Sequence, residues 1–311
     1  MKNLLFKSNI INRWRISKIL INVLNKWSLE YDYQLTKVPS QDRTNFNKSY
    51  FNKSKITDST VFDYKEIKFN MITCPAGGII NLDATWGSQE IKEPFMLGET
   101  EVTQELFEAV MGFNYSEIKE SNKNPVENVT WYDCLEFCNR LSSFFGLSYC
   151  YLLSNKIYST TTDDRTRDVP FPLSIEKAEI TFIEGANGFR LPKEWEWQIA
   201  AMAGTNNKYA GANDGESVKR VAWVKENSNQ KTHPVAQKLP NEWGFYDMTG
   251  NIDEWCENAL KFDRNNAISD NRVDRGGSWF NYSTNLHTAV RSYDPASFRN
   301  VNLGFRIAKS I

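Results

Sequence analysis

The sequence predicts an α+β fold that is rich in loops and has few helices. Only a few segments repeat apolar residues at helical spacing between clear start and stop signals. Most of the chain consists of short strand-like runs separated by Gly, Asn, Pro and Asp turns. Aromatic residues make up 14% of the 311 residues and include ten Trp, which is ample material for a core. These features together indicate an irregular domain held by its aromatic core.

The charge and the histidine and cysteine content exclude several functional classes. A net charge of -1 and a pI near 6.2 argue against a nucleic-acid partner, because phosphate binding needs a concentrated positive surface. The sequence has two histidines, His233 and His287, which excludes a three-histidine metal site and argues against a histidine triad. The five Cys are odd in number and form no CxxC pair. We therefore expect buried free thiols rather than a zinc site or a disulfide framework.

The N-terminal segment differs from the rest of the chain in its charge and in the spacing of its apolar residues. Residues 1–27 carry Lys and Arg but no acid, and their apolar side chains recur three or four apart from Ile16 to Trp27, which predicts a basic amphipathic helix. This stretch is too polar to span a bilayer, and it resembles neither a secretory signal nor a lipidation site. Either the helix packs on its own domain, or it binds a membrane surface or a partner. Residues 39–60 form a polar linker, so the folded domain is expected at 61–311.

The folded domain opens with predicted strands and a capped helix. The segment from Val61 has strand-like alternation and ends at Ala76-Gly77-Gly78, which is a hairpin signal. Thr103 is placed to cap the helical run QELFEAVMG, and Gly112 is placed to end it.

Two further helices are predicted in the middle of the chain. Thr130 can cap WYDCLEFCNRLSSFFG, whose apolar stripe includes Cys134 and Cys138 at i and i+4. A core position explains these two cysteines better than a metal clip. Pro192 stands at a good first-turn position for KEWEWQIAAMAG, which ends at Gly204.

Two clusters of polar residues are candidates for sites of chemistry. Glu194 and Glu196 lie at i and i+2 on a predicted helix and point to different sides, which argues against a joint acid/base role. The segment 243–258 places Asp247, Asn251, Asp253 and Glu254 around a turn at Gly250. Such a loop can surround a hard cation such as calcium with oxygens, or it can be a turn whose polar side chains satisfy backbone donors.

The C-terminal segment RGGSW...GFR has an unusual interior. From Phe280 to Leu303 it contains no Lys, Glu, Gln, Met or Trp, although the chain has ten Trp and six Met in all. These are the residue types that an asparagine codon cannot reach when its two adenines alone are randomised, so targeted mutagenesis would leave this gap. A composition fluctuation is the alternative, since residues 141–155 lack the same five types.

The order of the motifs resembles that of a known family. Five segments are similar, in order, to the motifs of the formylglycine-generating, sulfatase-modifying enzyme family. They are FMLGETEVTQELFEAVMG, NPVENVTWYDCLEFCNRLS, GFRLPKEWEWQIAAMAG, KTHPVAQKLPNEWGFYDMTGNIDEWCEN and RGGSW...NLGFRIA. The likeness runs from Phe69 to Ile311. It implies the C-type-lectin-like fold of that family, whereas function depends on the site rather than the scaffold.

The resemblance implies that the family's catalytic site is absent. The copper-binding cysteine pair of that family would fall at Asn281 and Leu286, and no Cys follows Cys256. Neither residue supplies the thiolate that Cu(I) needs, and two histidines cannot build the iron site of the related branch. The resemblance therefore implies a protein that is not an enzyme and has no catalytic cofactor. An oxidase with unusual residues and an invariant pseudoenzyme with a structural or regulatory role are the alternatives.

The resemblance also supports a bound calcium ion. The matching ligands are the side chains of Asp247 and Glu254 and the carbonyls of Gly250 and Ile252. Asp253 stands where the family motif usually has Trp, so packing there is expected to differ.

Within the family, the C-terminal segment most resembles that of the variable proteins of diversity-generating retroelements, of the treponeme type. In these proteins adenine-directed mutagenesis rewrites a region like residues 279–303, which forms a binding face for a protein or surface ligand, usually at a cell surface. Gly276, Gly277, Gly304 and Phe305 would be the fixed frame, with Trp279 packed beneath. The resemblance implies the binding residues Phe280, Asn281, Tyr282, Asn285, Leu286, His287, Val290, Ser292, Tyr293, Asp294, Ser297, Phe298, Asn300, Val301 and Asn302.

Overall fold

The computed structural model describes residues 58–81, 87–159, 174–259 and 270–311. The chain divides into two compact units, Met1–Asn47 and Lys48–Ile311, and all described residues belong to the second. The predicted basic helix at 1–27 and most of the predicted linker lie outside the described residues. In the part of the chain that is described, no helix is long and apolar enough to cross a membrane.

The described residues form short helices and many short strands, which confirms the predicted α+β class. The helices are α1 (Gln104–Met111), α2 (Trp131–Phe144), α3 (Glu194–Met202) and α4 (Val218–Val221). The strands are β1 (Ser59–Tyr64), β2 (Ile67–Cys74), β3 (Ile79–Asn81), β4 (Ser88–Glu90), β5 (Phe95–Gly98), β6 (Tyr151–Tyr158), β7 (Ile175–Phe182), β8 (Phe189–Arg190), β9 (Asp253–Ala259), β10 (Asn271–Arg275), β11 (Arg291–Pro295), β12 (Leu303–Gly304) and β13 (Ala308–Ser310).

Two sheets organise these strands. One is five-stranded with the order β1-β2-β5-β13-β8, and the other is four-stranded with the order β11-β10-β9-β12. In the second sheet β12 runs parallel to β9, while β10 is antiparallel to both of its neighbours. The pairs β3-β4 and β6-β7 form separate two-stranded ribbons. The four-stranded sheet includes β10, β11 and β12, so it holds the start, the middle strand and the end of the C-terminal segment.

The helix boundaries follow from capping. The Thr103 hydroxyl accepts from Leu106 N, and Gly112 ends α1 in a left-handed conformation, as predicted. Thr130 begins α2 with a reciprocal capping box to Asp133. The predicted start of the third helix at Pro192 was two residues early. The N-cap of α3 is Lys193, whose backbone N–H donates to the Glu196 carboxylate at 2.8 Å.

The predicted hairpin is present, but its turn lies elsewhere. Lys65 and Glu66 join β1 to β2 with positive φ angles of 50° and 74°, and Asp63 Oδ1 accepts from Glu66 N at 2.7 Å. That side-chain contact stabilises a turn without glycine. Ala76-Gly77-Gly78 instead leads into β3, where Gly77 N donates to the carbonyl of Ile91.

The aromatic core connects the helices to the end of the C-terminal segment. Phe107 of α1 and Phe137 of α2 stack at 5.6 Å, and Phe305 meets Phe137 edge-on at 5.2 Å. Offset and edge-to-face pairs of this kind add to the apolar burial. All five cysteines are buried and free, as expected from the sequence.

Candidate ligand-binding site

The glycines of the RGGSW motif hold a turn that no other residue fits. Gly276 and Gly277 have φ angles of 97° and 66°, which are unfavourable for residues with a Cβ. A Cβ on Gly277 would lie 1.9 Å from Leu286 Cδ2, and a Cβ on Gly304 would lie 2.1 Å from the Val126 carbonyl oxygen. Backbone conformation and close packing therefore both require glycine at the ends of the segment.

Buried arginines fix the two ends of the segment to the core. Arg306 makes a bidentate ion pair with Glu254, with both N···O distances at 2.6 Å. Arg275 donates to the Gln198 side chain at 2.7 Å and lies 3.4 Å from Glu194. Both guanidinium groups are fully buried, so the loss of one partner would leave an uncompensated charge.

Glu194 and Glu196 have separate partners. Glu194 accepts from Arg291 at 2.6 Å, whereas Glu196 pairs with Arg190 through contacts of 2.6 and 2.8 Å. The two carboxylates thus pair with different arginines, as their i and i+2 spacing predicted.

Two residues of the predicted binding set lie beneath the surface. Asn281 is 4% exposed, and its Oδ1 accepts from the N–H and the hydroxyl of Ser278 at 2.8 and 2.9 Å. Leu286 is 3% exposed and packs in a cluster with Val218 and Val221 of α4. The expectation that their side chains belong to the exposed face is therefore corrected: both hold the turn together from below.

Most other predicted residues reach the surface, and we call their surface the C-terminal face. Tyr282 is 45% exposed, Tyr293 is 37% exposed and Ser297 is also exposed. The half-buried residues of this face are Phe280, Asn285, His287, Val290, Ser292, Asp294, Phe298, Asn300, Val301 and Asn302.

Trp279 and Ser278 connect the two sides of the C-terminal face. The buried Trp279 ring meets Phe280 edge-on at 5.5 Å, and its Nε1–H donates to the Val301 carbonyl at 3.3 Å. Asn302 Nδ2 donates to Ser278 Oγ at 3.1 Å. The role predicted for Trp279, packing under the segment, agrees with these contacts.

A loop that the sequence did not single out borders the C-terminal face. The Lys225 ammonium lies 4.3 Å from the Tyr282 ring centroid and 5.3 Å from that of Phe280. Glu226 accepts from the Ser283 N–H and hydroxyl, the latter at 2.7 Å. These contacts join residues more than fifty positions apart, and no local motif at Lys225 or Glu226 indicated them.

Three aspartates lie on the sheet that carries the face. Burial, followed by repulsion from Asp294, raises the pKa of Asp253 to about 8. Burial raises the pKa of Asp294 to about 6. Burial and the carboxylates of Asp294 and Asp253 raise the pKa of Asp274 well above its ordinary value. Burial and mutual repulsion thus favour the protonated forms, so the three carboxyl groups beneath the face are not all ionised at neutral pH.

The predicted calcium ligands fit a cation only in part. Asp247 is buried; its Oδ2 accepts from Ala236 N at 2.8 Å, and its Oδ1 has no hydrogen-bond partner. Glu254, in contrast, has both oxygens on Arg306 and also accepts from Trp197 Nε1 at 2.7 Å. Within the described ranges, no three His, Cys, Asp or Glu side chains come together as a metal-binding group.

Comparison with known proteins identifies close relatives of this fold. Residues 69–311 match the model of the sulfatase-modifying factor enzyme 1-like domain, which confirms the resemblance read from the motifs. The chain is 34% identical over 232 residues to the chaperone protein LppX of Paenibacillus barcinonensis, a match that covers 68% of this chain and 76% of the relative.

Two further relatives bear on function. The solved structure of Treponema denticola variable protein 1 is similar with a TM-score of 0.67 and 32% identity, covering 81% of this chain and 99% of that one. The inactive Cα-formylglycine-generating enzyme 2 of Bos taurus is 32% identical over 136 residues, which is 39% of this chain and 44% of the relative.

Proposed function

We propose that this chain, which belongs to the sulfatase-modifying factor enzyme 1-like family, is a non-catalytic, ligand-binding protein with a sequence-diversified C-terminal face. The proposal depends on one observation: the RGGS turn of the family is kept, whereas the residues that would carry the family's catalysis are replaced. The RGGS turn is sterically fixed around Gly277, while the positions implied for the cysteine pair are occupied by Asn281 and Leu286. Both side chains there have packing roles.

The cysteines that remain are poorly suited to redox catalysis. Cys134, Cys138 and Cys256 are fully buried, and burial raises the pKa of each thiol well above its ordinary value. Copper binding and nucleophilic attack both require the thiolate. Buried neutral thiols in the core supply neither function.

The proposed diversification agrees with how the segment is built. The residue types missing from 280–303 are those that adenine mutagenesis of an asparagine codon cannot produce. Gly277 and Gly304 have no room for a side chain, whereas the side chains of Tyr282 and Tyr293 are exposed. Stability and recognition are therefore assigned to different residues. Variation at the exposed positions changes the ligand without changing the core.

The exposed aromatic residues suit a binding face. Tyr282 and Tyr293 offer large, amphipathic contact area at a low cost in conformational entropy, as tyrosines do in antibody paratopes. Asn285, His287 and Ser297 add hydrogen-bonding groups. A pre-formed face on a rigid sheet avoids part of the ordering cost of binding. The partner class that fits is a protein or a surface-displayed ligand.

The nucleotide sequence of the gene tests the proposal. In sibling copies or isolates, and in a nearby template repeat, we expect substitutions within codons 280–303 to fall at adenine positions. Codons 141–155 are the matched control, because they lack the same five residue types but lie in α2, the following loop and β6, and they should not vary in this way. Substitutions spread over all four bases would contradict diversification.

The proposal includes a structural Ca²⁺ ion at the turn around Gly250. Asp247 Oδ1 and the carbonyl oxygens of Gly250 and Ile252 would hold it, and water would complete the six to eight oxygens that Ca²⁺ prefers. When bound, the ion supplies positive charge to a buried region in which Glu101, Asp247 and Glu254 repel one another. Glu254 would stay on Arg306, so it is not a ligand in this arrangement.

A further inference from the structure

Asp253, Asp274 and Asp294 share one side of the four-stranded sheet. Asp274 of β10 lies opposite Ser292 on β11 and opposite Trp255 on β9. Residues two apart on a strand point to the same side, so Asp294 and Asp253 lie on the Asp274 side and diagonal to it. Diagonal neighbours have Cβ atoms about 7–8 Å apart or somewhat less. The three carboxyl groups therefore form one row across three strands, which we call the aspartate row.

One oxygen of the aspartate row has no partner. Asp274 is 1% exposed, and its Oδ2 makes no hydrogen bond. Asp253, by comparison, accepts from Asn302 Nδ2 at 3.2 Å and from the Gly277 amide. A buried polar oxygen without a partner is costly, and a donor that reached Asp274 Oδ2 would remove that cost.

The nearby arginines form no ion pair with the aspartate row, although the charge of Arg275 partly offsets the rise in the pKa of Asp274. Arg272 lies opposite Asp294 in register, but its guanidinium lies over the Trp131 ring at 4.5 Å and pairs with Asp270 at 3.4 Å. Arg275 points to the other side of the sheet, toward Glu194. Among the residues that the structure describes, no Lys, Arg or His forms an ion pair with any member of the row.

The spacing of the row favours an organic cation over a metal ion. The carboxyl groups follow one another across neighbouring strands, and the described residues contain no cluster of three acidic or histidine groups around one point. A metal ion needs such convergence at roughly 2.0–2.6 Å. A guanidinium carries five N–H donors in a planar fork, so it can bridge carboxylates that stand several ångströms apart.

We infer that the aspartate row is the receptor for a cationic group of the ligand, namely an arginine side chain of a protein partner. The guanidinium would approach past the half-buried Asp294, and the unpartnered Asp274 Oδ2 is the acceptor that it would satisfy. The inference rests on the proposed function, since it names the chemistry that the C-terminal face recognises. Asp253 and Asp274 lie outside the diversified segment, so they would keep the preference for a cation while the surrounding residues vary.

Two small probes separate charge recognition from shape. Nα-acetyl-arginine methylamide carries the guanidinium, and Nα-acetyl-citrulline methylamide is a neutral compound of nearly the same shape. Titration of each into the full chain, followed by NMR or calorimetry, should show saturable binding of the arginine probe alone. Equal binding of both probes, or binding of neither, would overturn the inference.

Charge-removing variants locate the site. Asp274→Asn and Asp294→Asn should each weaken binding of the arginine probe by roughly tenfold or more, because each removes one partner of a buried charge pair. The matched control is Asp270→Asn, whose carboxylate is exposed and pairs with Arg272, and it should bind as the unaltered chain does. Unchanged affinity in both test variants would contradict the assignment, and Asp294→Asn keeps the test valid if Asp274→Asn fails to fold.

A metal titration completes the test. If Ca²⁺ or Mg²⁺ binds in a way that Asp274→Asn and Asp294→Asn abolish, while the arginine probe does not bind, the row is a metal site and the inference is wrong. Failure of the arginine probe leaves the codon pattern at 280–303 untouched. The experiments can therefore contradict the proposed cation site without contradicting the proposed diversification of the C-terminal face, and the reverse.

Discussion

Gly277 and Leu286 interlock at the centre of the C-terminal segment. A Cβ on Gly277 would lie 1.9 Å from Leu286 Cδ2 and 3.1 Å from Leu286 Cγ. Leu286 is in turn packed against the small cluster that includes Val218 and Val221. The turn at Gly277 is thus packed against Leu286, nine positions later. This contact fixes both ends of the stretch whose side chains are exposed between them.

The first prediction concerns this contact. Gly277→Ala should destabilise the protein by about 2–4 kcal/mol, because it adds a side-chain clash to the strain of an alanine at positive φ. Gly146→Ala is the matched control. Gly146 has the same φ of 66° and nothing within 4 Å of a built Cβ, so strain alone should cost about 1–2 kcal/mol. Urea unfolding measures both. Equal losses in the free energy of unfolding for the two variants would show that the Leu286 side chain moves aside without cost.

The second prediction is that the exposed tyrosines of the C-terminal face contribute little to stability. Tyr282→Ala and Tyr293→Ala should each lower the free energy of unfolding by no more than about 1 kcal/mol, since both side chains stand in solvent. Tyr151→Ala makes the same chemical change at a buried ring whose hydroxyl bonds to Glu257 at 2.9 Å, and it should cost about 3–5 kcal/mol. A loss of similar size at Tyr282 would contradict the separation of recognition from packing.

The third prediction is catalytic. Incubation with copper, oxygen and a cysteine-containing sulfatase peptide should yield no aldehyde in the peptide, because Asn281 and Leu286 supply no thiolate. Mass spectrometry of the peptide gives the result, with an active formylglycine-generating enzyme as the positive control. Turnover to the aldehyde would establish an oxidase and remove the proposed non-catalytic role.

Features that depend on short-range chemistry were predictable from the sequence. The caps Thr103 and Thr130 act on amides three residues away, and Gly112 ends its helix through its own backbone conformation. The family fold was predictable because its motifs keep their order. The hairpin turn at Lys65 and Glu66 was missed, because no glycine marks it and the Asp63 side chain stabilises it instead.

The missed features of the site depend on contacts between distant segments. Asn281 was assigned to the exposed face, but its amide oxygen satisfies Ser278 in the interior, a role that composition cannot distinguish from exposure. The contacts of Lys225 and Glu226 with the C-terminal segment form only when the folded chain brings two loops together. The aspartate row likewise depends on the register of three strands. Pairings of this kind are set by the fold as a whole, so a local pattern does not reveal them.

The fourth prediction concerns the proposed calcium ion. If Ca²⁺ occupies the turn at Asp247, chelation should lower the Tm by roughly 5–10 °C at ion concentrations near a hundred times the Kd, since a ligand bound to the native state alone stabilises it. Asp247→Asn should abolish this difference, because it weakens the one carboxylate ligand. An unchanged melting curve after chelation would count against a structural ion.

The fifth prediction is a pH dependence that comes from Glu127. Its carboxylate is buried; Oε1 accepts from the Ile118 amide at 2.9 Å and Oε2 has no partner. Burial raises the pKa of Glu127 to about 8. The folded protein therefore keeps a proton that the unfolded chain loses above its ordinary pKa of 4.5. This contribution to the free energy of unfolding is fully present below pH 4.5. It declines as the pH rises, by at most about 1.4 kcal/mol per pH unit, and it is lost as the pH passes through 8.

Glu127→Gln should remove this slope, because the amide keeps an acceptor oxygen for Ile118 N and carries no charge to bury. Urea unfolding at several values between pH 5 and 8.5 should show the variant gaining on the unaltered chain as the pH rises. Subtracting the two curves isolates Glu127 from the other buried acids, which titrate alike in both proteins. Glu108→Gln, at an exposed position of α1, should leave the slope as it is. A parallel pair of curves for Glu127→Gln would mean that the folded protein ionises Glu127 without cost, and that a donor reaches Oε2 in solution.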